Sequence, residues 1–429
     1  MNRSSFLFGV LVAVQLCLSS LKGQEINVDR DLLLTGGRVF DVERGTLVDA
    51  QVLVSGQRIS AIGPVLKFIV EHTTIIELDG KVIMPGMIDL HSHLLLHPYN
   101  EATWNDQVLK ELLELRTIRG TVHARQTLEA GFTTIRDLGT EGAGFADVAL
   151  RDAITGGMIP GPRVFAVTKA LVTTGGYGPS GFDPRFNLPK GAQVADGVDG
   201  VRIATREQMA AGADWIKVYA DYRRKADDVS TPTFSLEELK AIVDEARSAG
   251  LKVSAHATTD EGIRRAVMAG VATIEHGYDA SPATLALMKQ HDVVLCPTLA
   301  ASEAMAIYSG WKPGDPETSR IQTAKQMMRH AIESGVTIAC GSDVGVFAHG
   351  TNVRELELMF AYGMESADVI RAATITAATV LGREKDLGTV EAGKLADLVI
   401  VAENPLDSLA TLRKPLIVIK DGKIVVDHR

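Results

Sequence analysis

Short apolar runs rich in β-branched residues recur through the middle of the chain, separated by longer segments with helical spacing. Eight runs qualify as strands: "KVIMPGMIDLHSH", "FTTIRDLG", "PRVFAVT", "ADWIKVYA", "LKVSAHA", "VATIEHG", "VVLCPT" and "VTIACGSD". Their apolar character is nearly continuous, as in strands covered on both faces. The intervening helices have readable ends. Ser235 and Glu238 form a capping-box pair ahead of "LEELKAIVDEARSAG", and Ser281 followed by Pro282 reads as an N-cap with proline at the first helical position. Eight such strands alternating with helices predict an α/β fold, a (β/α)8 TIM barrel over residues 84–382. A doubly wound open sheet is the alternative, but no glycine-rich phosphate loop supports it.

The flanks have a different texture. Residues 24–83, with "DLLLTGGRVFDVERGTLVDAQVLVSGQRISAIG", and 383–429, with "LGTVEAGKLADLVIVAENP" and "LIVIKDGKIVVD", read as short strands and turns. They predict one small β-sandwich domain built from both chain ends. The opening "MNRSSFLFGVLVAVQLCLSSLKGQ" has Arg3, an apolar stretch from Phe6 to Leu18, and then small and polar residues, the order of a secretory signal peptide over 1–23. That stretch is shorter than the ~20 residues needed to span a bilayer, so no stable membrane anchor is expected and the mature protein is placed as secreted or periplasmic.

Charge narrows the partners. The net charge is -9, and loss of residues 1–23 removes Arg3, Lys22 and no acid, moving it to -11. The basic residues are scattered, which argues against nucleic acid or an anionic membrane surface. A small-molecule substrate and assembly as a homo-oligomer are expected instead. Cys296 and Cys340 both sit in apolar runs, as buried thiols do, and imply no disulfide framework.

The candidate chemistry lies at the strand ends. In "MIDLHSHLLLHPYN", His91 and His93 are two apart and share a strand face, whereas His97 falls where the strand has ended. His256 ends "KVSAHA", His276 ends "TIEHG" and Asp343 ends "IACGSD". A single strand-end histidine is usually just a hydrogen-bonded or capping residue. Four imidazoles and a carboxylate at corresponding ends of four strands converge on one barrel mouth, where barrel active sites lie, with donors that divalent metals such as zinc accept. Lys217, in "WIKVYADY", is costly inside an apolar strand unless paired, neutralised or modified. The residues alone favour a salt-bridged or snorkelling lysine there.

Taken in order, these motifs resemble the amidohydrolase superfamily, and within it the imidazolonepropionase-like and prolidase-like metal-dependent hydrolases. "PGMIDLHSH" resembles the first-strand motif, "ADWIKVYA" the strand of a carboxylated lysine, "VSAHA" and "TIEHG" the fifth- and sixth-strand histidines, "GSD" the eighth-strand aspartate, and "GTVEAGKLADLVIV" the return into the β domain. The resemblance implies two divalent ions, zinc first, with manganese, cobalt or iron(II) as alternatives. His91, His93 and Asp343 would hold one, His256 and His276 the other, and a CO2-derived carbamate on Lys217 would bridge them. It further implies a bridging hydroxide, with Asp343 as general base and then acid.

The bond expected to be cleaved is an amide C–N bond in a dipeptide or N-acyl amino acid. A lactone, cyclic amide or phosphotriester at the same centre is the alternative, and a catalytically silent binding barrel a third reading. Tyr219 shares the face of Lys217 and is a candidate substrate contact; Tyr177, in "TTGGYGPSG", is a candidate lid residue; Arg223 and Arg224 are candidates for a substrate carboxylate. One departure is Thr258, which stands in "AHATTD" where prolidase-like relatives carry a tyrosine. The bridging lysine also separates the chain from imidazolonepropionases, which resemble a single-metal arrangement.

Overall fold

The computed structural model describes residues 31–183, 185–224 and 228–429, so the expected signal peptide at 1–23 lies outside the described residues. Among the described residues, no helix is long and apolar enough to cross a membrane.

Seven of the eight predicted runs form parallel barrel strands: β1 (Met87–Ser92), β2 (Phe132–Asp137), β3 (Arg163–Ala166), β4 (Ile216–Tyr219), β5 (Val253–Ala257), β6 (Thr273–His276) and β7 (Val294–Cys296). Every residue of β1, β2, β4 and β6 is buried, as the continuous apolar runs required. Asp214 N donates to Ala166 O at 2.7 Å and joins β3 to the start of β4.

The eighth position departs from expectation. "VTIACGSD" is an irregular segment with single bridges, Leu295 to Ile338 and Ser92 to Val344. It still closes the ring, because Ala339 N donates to Leu295 O (2.9 Å) and Leu90 N to Cys340 O (2.9 Å). Two local demands break the ladder. A Cβ at Gly341 would lie 3.0 Å from the Cβ atoms of both Cys296 and His91, and Asp343 adopts a left-handed φ of 61°. Cys296 and Cys340 are both free and buried.

The first run also divides. Val82–Pro85 leaves the barrel and pairs antiparallel with Leu398–Val401, so the first barrel strand begins at Met87. Gly86 is the joint, where a side chain would collide with Thr133. Around that pairing, Arg38–Asp41, Thr46–Asp49, Ile417–Lys420 and Lys423–Asp427 complete a six-stranded sheet drawn from both chain ends. Asp31–Thr35, Gln51–Ser55, Arg58–Gly63 and Thr73–Glu77 form a four-stranded sheet. Leu32, Val54 and Ile59 of the smaller sheet share one apolar cluster with Ile83, Ile400 and Ile419 of the larger.

Helix ends follow the sequence signals. Ser235 and Glu238 make the reciprocal capping box, and Ser281 caps a helix with Pro282 in its first turn. Two short pairings frame the barrel mouth: Leu171–Val172 with Gln193–Val194 holds the Tyr177 loop, and Asp221–Tyr222 with Thr231–Pro232 holds the Arg223 loop.

Candidate metal centre

Strand alternation places Asp89, His91 and His93 on one face at the C-terminal end of β1. Asp89 is fully buried and accepts from His91 N (3.0 Å), Ser342 N (3.0 Å), the Ser342 hydroxyl and Asn352 Nδ2 (2.7 Å). It thus adds side-chain bonds to the backbone ones that join β1 to the irregular closing segment. Donor atoms of His91, His93 and Asp343 then lie within 4.8 Å of one another. The nearest approaches are 3.5 Å from His91 Nε2 and 3.3 Å from His93 Nε2 to the same Asp343 oxygen.

Each ring is turned by what holds its other nitrogen. His91 Nδ1 meets Glu275 Oε2 at 3.0 Å, His93 Nδ1 meets Gly139 O at 3.1 Å, and His276 Nδ1 meets Thr298 Oγ1 at 2.7 Å. With Nδ1 committed, Nε2 of each ring is left for a ligand. His256 stacks on Tyr219 at 4.5 Å between centroids, and its ring lies 4.5 Å from that of His276, which in turn lies 5.2 Å from His91.

The electrostatics suit a cation. Burial lowers the pKa of His91 to about 4 and of His276 to about 3, keeping both neutral as metal ligands must be. Burial opposes charge on His93 as well, but its hydrogen bond to Asp343 and the nearby Glu141 push it up to about 9. Burial likewise opposes ionisation of Asp343, yet His91 and His93 hold its carboxyl well below the usual carboxylate range. A divalent ion bound there would displace the His93 proton.

Lys217 is 1% exposed, and its Nζ has no hydrogen-bond partner among the described residues. Burial lowers its pKa to about 8. It lies within electrostatic range of Asp343 and Glu275, and a buried amine with no hydrogen-bond partner among the described residues is costly while it stays charged.

Four non-glycine residues here have left-handed backbones: Glu141 (φ 49°), His276 (75°), Thr298 (52°) and Asp343 (61°). Such strain gathers at functional sites because the surrounding structure over-determines it. His91, His93, His256, His276 and Asp343 all line one cavity of about 780 Å3.

The family model for the amidohydrolase family matches residues 82–425. The chain belongs to that family. An ochratoxinase of Aspergillus niger is 32% identical over 378 residues, 80% of this chain and 75% of that protein. An imidazolonepropionase of Symbiobacterium thermophilum is 25% identical, covering 93% of this chain and 98% of that one. The solved structure of a Xaa-Pro dipeptidase with bound methionine superposes with a TM-score of 0.82 at 32% identity, over 92% of this chain and all of that one (100%). This amidohydrolase is accordingly a hydrolase acting on carbon–nitrogen bonds.

The amidohydrolase centre has braces that sequence reasoning passed over. Glu275 also accepts from Arg136 Nη2 (2.9 Å), whose guanidinium lies 4.5 Å from the Trp215 ring centroid and donates through Nε to Leu90 O at 2.8 Å. Asp89, Arg136 and Glu275 share one readable signal, a charge inside an otherwise apolar strand. Glu141 had none. It comes from the loop after β2, accepts from Trp104 Nε1 (2.8 Å) and the Tyr177 hydroxyl, and has an oxygen 3.9 Å from His93 Nδ1.

The candidate substrate contacts fall as follows. Tyr219 is sandwiched between His256 and Tyr177, whose ring stacks on it at 4.3 Å. Arg223 lines the cavity 5.4 Å from the Tyr222 ring centroid, and Arg224 lines the neighbouring cavity. Thr258 donates through N and hydroxyl to Asp221 (3.0 and 3.2 Å) and leaves no tyrosine at that place. His97 stands outside the centre, bonded to Glu101 and Glu111 at 2.9 Å each.

Proposed function

We propose that this chain is an exported binuclear metal-dependent amidohydrolase that cleaves an amide C–N bond in a dipeptide or N-acyl amino acid. The observation that carries it is the buried Lys217 Nζ, without a hydrogen-bond partner among the described residues and within electrostatic range of His91, His256, His276 and Asp343, which line one cavity with His93. These nitrogen and oxygen donors fit zinc, and also manganese, cobalt or iron(II). His91, His93 and Asp343 would hold one ion, His256 and His276 the other, and the Lys217 carbamate would contact both. When bound, such a pair acidifies water and polarises a carbonyl.

The protein's own part follows from its geometry. Asp343, held ionised by His91 and His93 and with an exposed edge (14%), takes the proton of the attacking water and passes it to the leaving nitrogen. Tyr219 and Tyr177 wall the substrate against His256, and Arg223 offers a cation to its carboxylate. The similar Xaa-Pro dipeptidase supports a dipeptide-sized substrate. The two sheets around Ile83 and Ile400 serve as the small β-sandwich domain, residues 1–23 as the export signal, and the mature enzyme as a homo-oligomer.

The test pairs metal content with a substrate panel. Wild-type protein should carry about two ions per chain, as a binuclear site does, and prefer dipeptides or N-acyl amino acids over lactones and phosphotriesters. Lys217→Ala should lose metal and rate together. Unchanged stoichiometry and turnover in that variant would sink the bridging assignment.

A further inference from the structure

The metal cavity has a larger neighbour. Tyr99, Tyr177, Tyr222, Arg223 and Met305 line both it and a second chamber of about 980 Å3, so the two communicate through a shared wall. We propose that this second chamber binds an aromatic, negatively charged group at the far end of the substrate, an inference that rests on the amide-hydrolase reading above.

Three observations carry it. The first is charge: Lys190, Arg223 and Arg224 line the chamber, and no carboxylate does among the described residues. In a chain with 53 acidic and 44 basic residues this is a local inversion.

The second is aromatic surface. Trp104 and Tyr177 meet edge to face at 4.8 Å, Tyr177 and Tyr222 at 5.0 Å, and Phe182 stands 46% exposed on the same loop. Packed together, these rings and Phe182 give the chamber an aromatic wall, one side of a slot for a planar group. An apolar side chain left open at the slot's edge gains burial when that group arrives.

The third is that the slot is built into the catalytic framework. Trp104 and Tyr177 both donate to Glu141, whose other oxygen lies 3.9 Å from His93 Nδ1, while Asn105 Nδ2 donates to Ser180 O at 2.9 Å and ties the loop to the opposite wall. A ligand that fills the chamber therefore has a fixed relation to the scissile bond. A dipeptide at the metal centre leaves this space open, so the substrate class becomes an extended amide with an anionic aromatic end.

Calorimetric titration with naphthalene-2,6-dicarboxylate, together with turnover of N-acetylmethionine and N-(6-carboxy-2-naphthoyl)methionine, tests this. The dicarboxylate should bind saturably, and the exposed-site variant Lys190→Glu should weaken it by about tenfold or more, as reversal of a charge-assisted contact does. The same variant should lower kcat/KM for the carboxynaphthoyl substrate by a similar factor and leave the acetyl substrate within about twofold. No saturable binding, binding unchanged in the variant, or equal loss on both substrates overturns the chamber. Dicarboxylate binding as expected with no N-acyl amino acid turned over keeps the chamber and removes the amide reading. Hydrolysis of N-acetylmethionine without dicarboxylate binding does the reverse.

Discussion

Replacing Glu275 by alanine should separate two things this one side chain does. It is fully buried between His91 Nδ1 (3.0 Å) and Arg136 Nη2 (2.9 Å), so its loss frees an imidazole and strands a guanidinium. Arg136 would keep Leu90 O, a long contact to Cys296 Sγ (3.9 Å) and the face of Trp215. Removing one partner of a buried pair costs about 3–5 kcal/mol because the other charge stays buried. Removing the group that orients a metal-binding histidine costs about tenfold to a hundredfold in affinity, or about 1.4–2.8 kcal/mol. Adding Arg136→Met distinguishes the two, since it deletes the stranded charge without restoring the brace on His91. The double variant should recover most of the lost stability in urea denaturation while its zinc affinity, read by competition with a fluorescent chelator, stays low. Zinc binding by Glu275→Ala within about twofold of wild type, or joint recovery of both properties, would refute the orienting role.

Other outcomes follow from the same geometry. Asp343→Asn should lower kcat by about 10²–10⁴, the range of a lost general base, with an unchanged circular dichroism spectrum; retained turnover would remove its proton-transfer role. Only a neutral amine adds CO2, and burial lowers the Lys217 pKa to about 8, so reactivation of stripped enzyme by metal at a fixed concentration of dissolved CO2 should speed up as pH rises through 8 and level off above it. The linked stability has the same sign: Lys217 is lowered from 10.5, so the unmodified fold gains stability from pH 8 up to 10.5 and loses it as pH falls through 8. A reactivation rate flat from pH 6.5 to 9.5 would contradict that account. Tyr177→Phe removes the hydroxyl bound to Glu141 and should raise KM about fivefold, from about 1 kcal/mol of hydrogen bonding, with kcat nearly unchanged; an unaltered KM would show that the hydroxyl does not set the stack on Tyr219.

The barrel was legible because its strands are buried on both faces, which writes a run such as "VVLC" as continuous apolar residues. The candidate residues at the barrel mouth were legible for a related reason. Strand period and the C-terminal-end rule place His91, His93, His256 and His276 without knowledge of how the strands pack. The eighth run misled because Gly341 and Asp343 mark a close approach and a left-handed turn that composition does not reveal as a broken ladder. "KVIMPGMIDLHSH" concealed a domain boundary because two strands of different sheets are equally apolar and only Gly86 separates them.

Sequence by itself, then, determined which side chains are offered at the barrel mouth, since that depends on position along each strand and on nothing more distant. Tertiary structure alone decided how they are held and what stands beside them. Glu275 is 184 residues from His91, Asn352 is 263 from Asp89, and Tyr177 is 36 from Glu141. Buried polar groups must find partners wherever the fold brings them, and those partners carry no local periodicity. The same holds for the second chamber, whose cations and rings come from separate loops and acquire a common ligand only when the barrel closes.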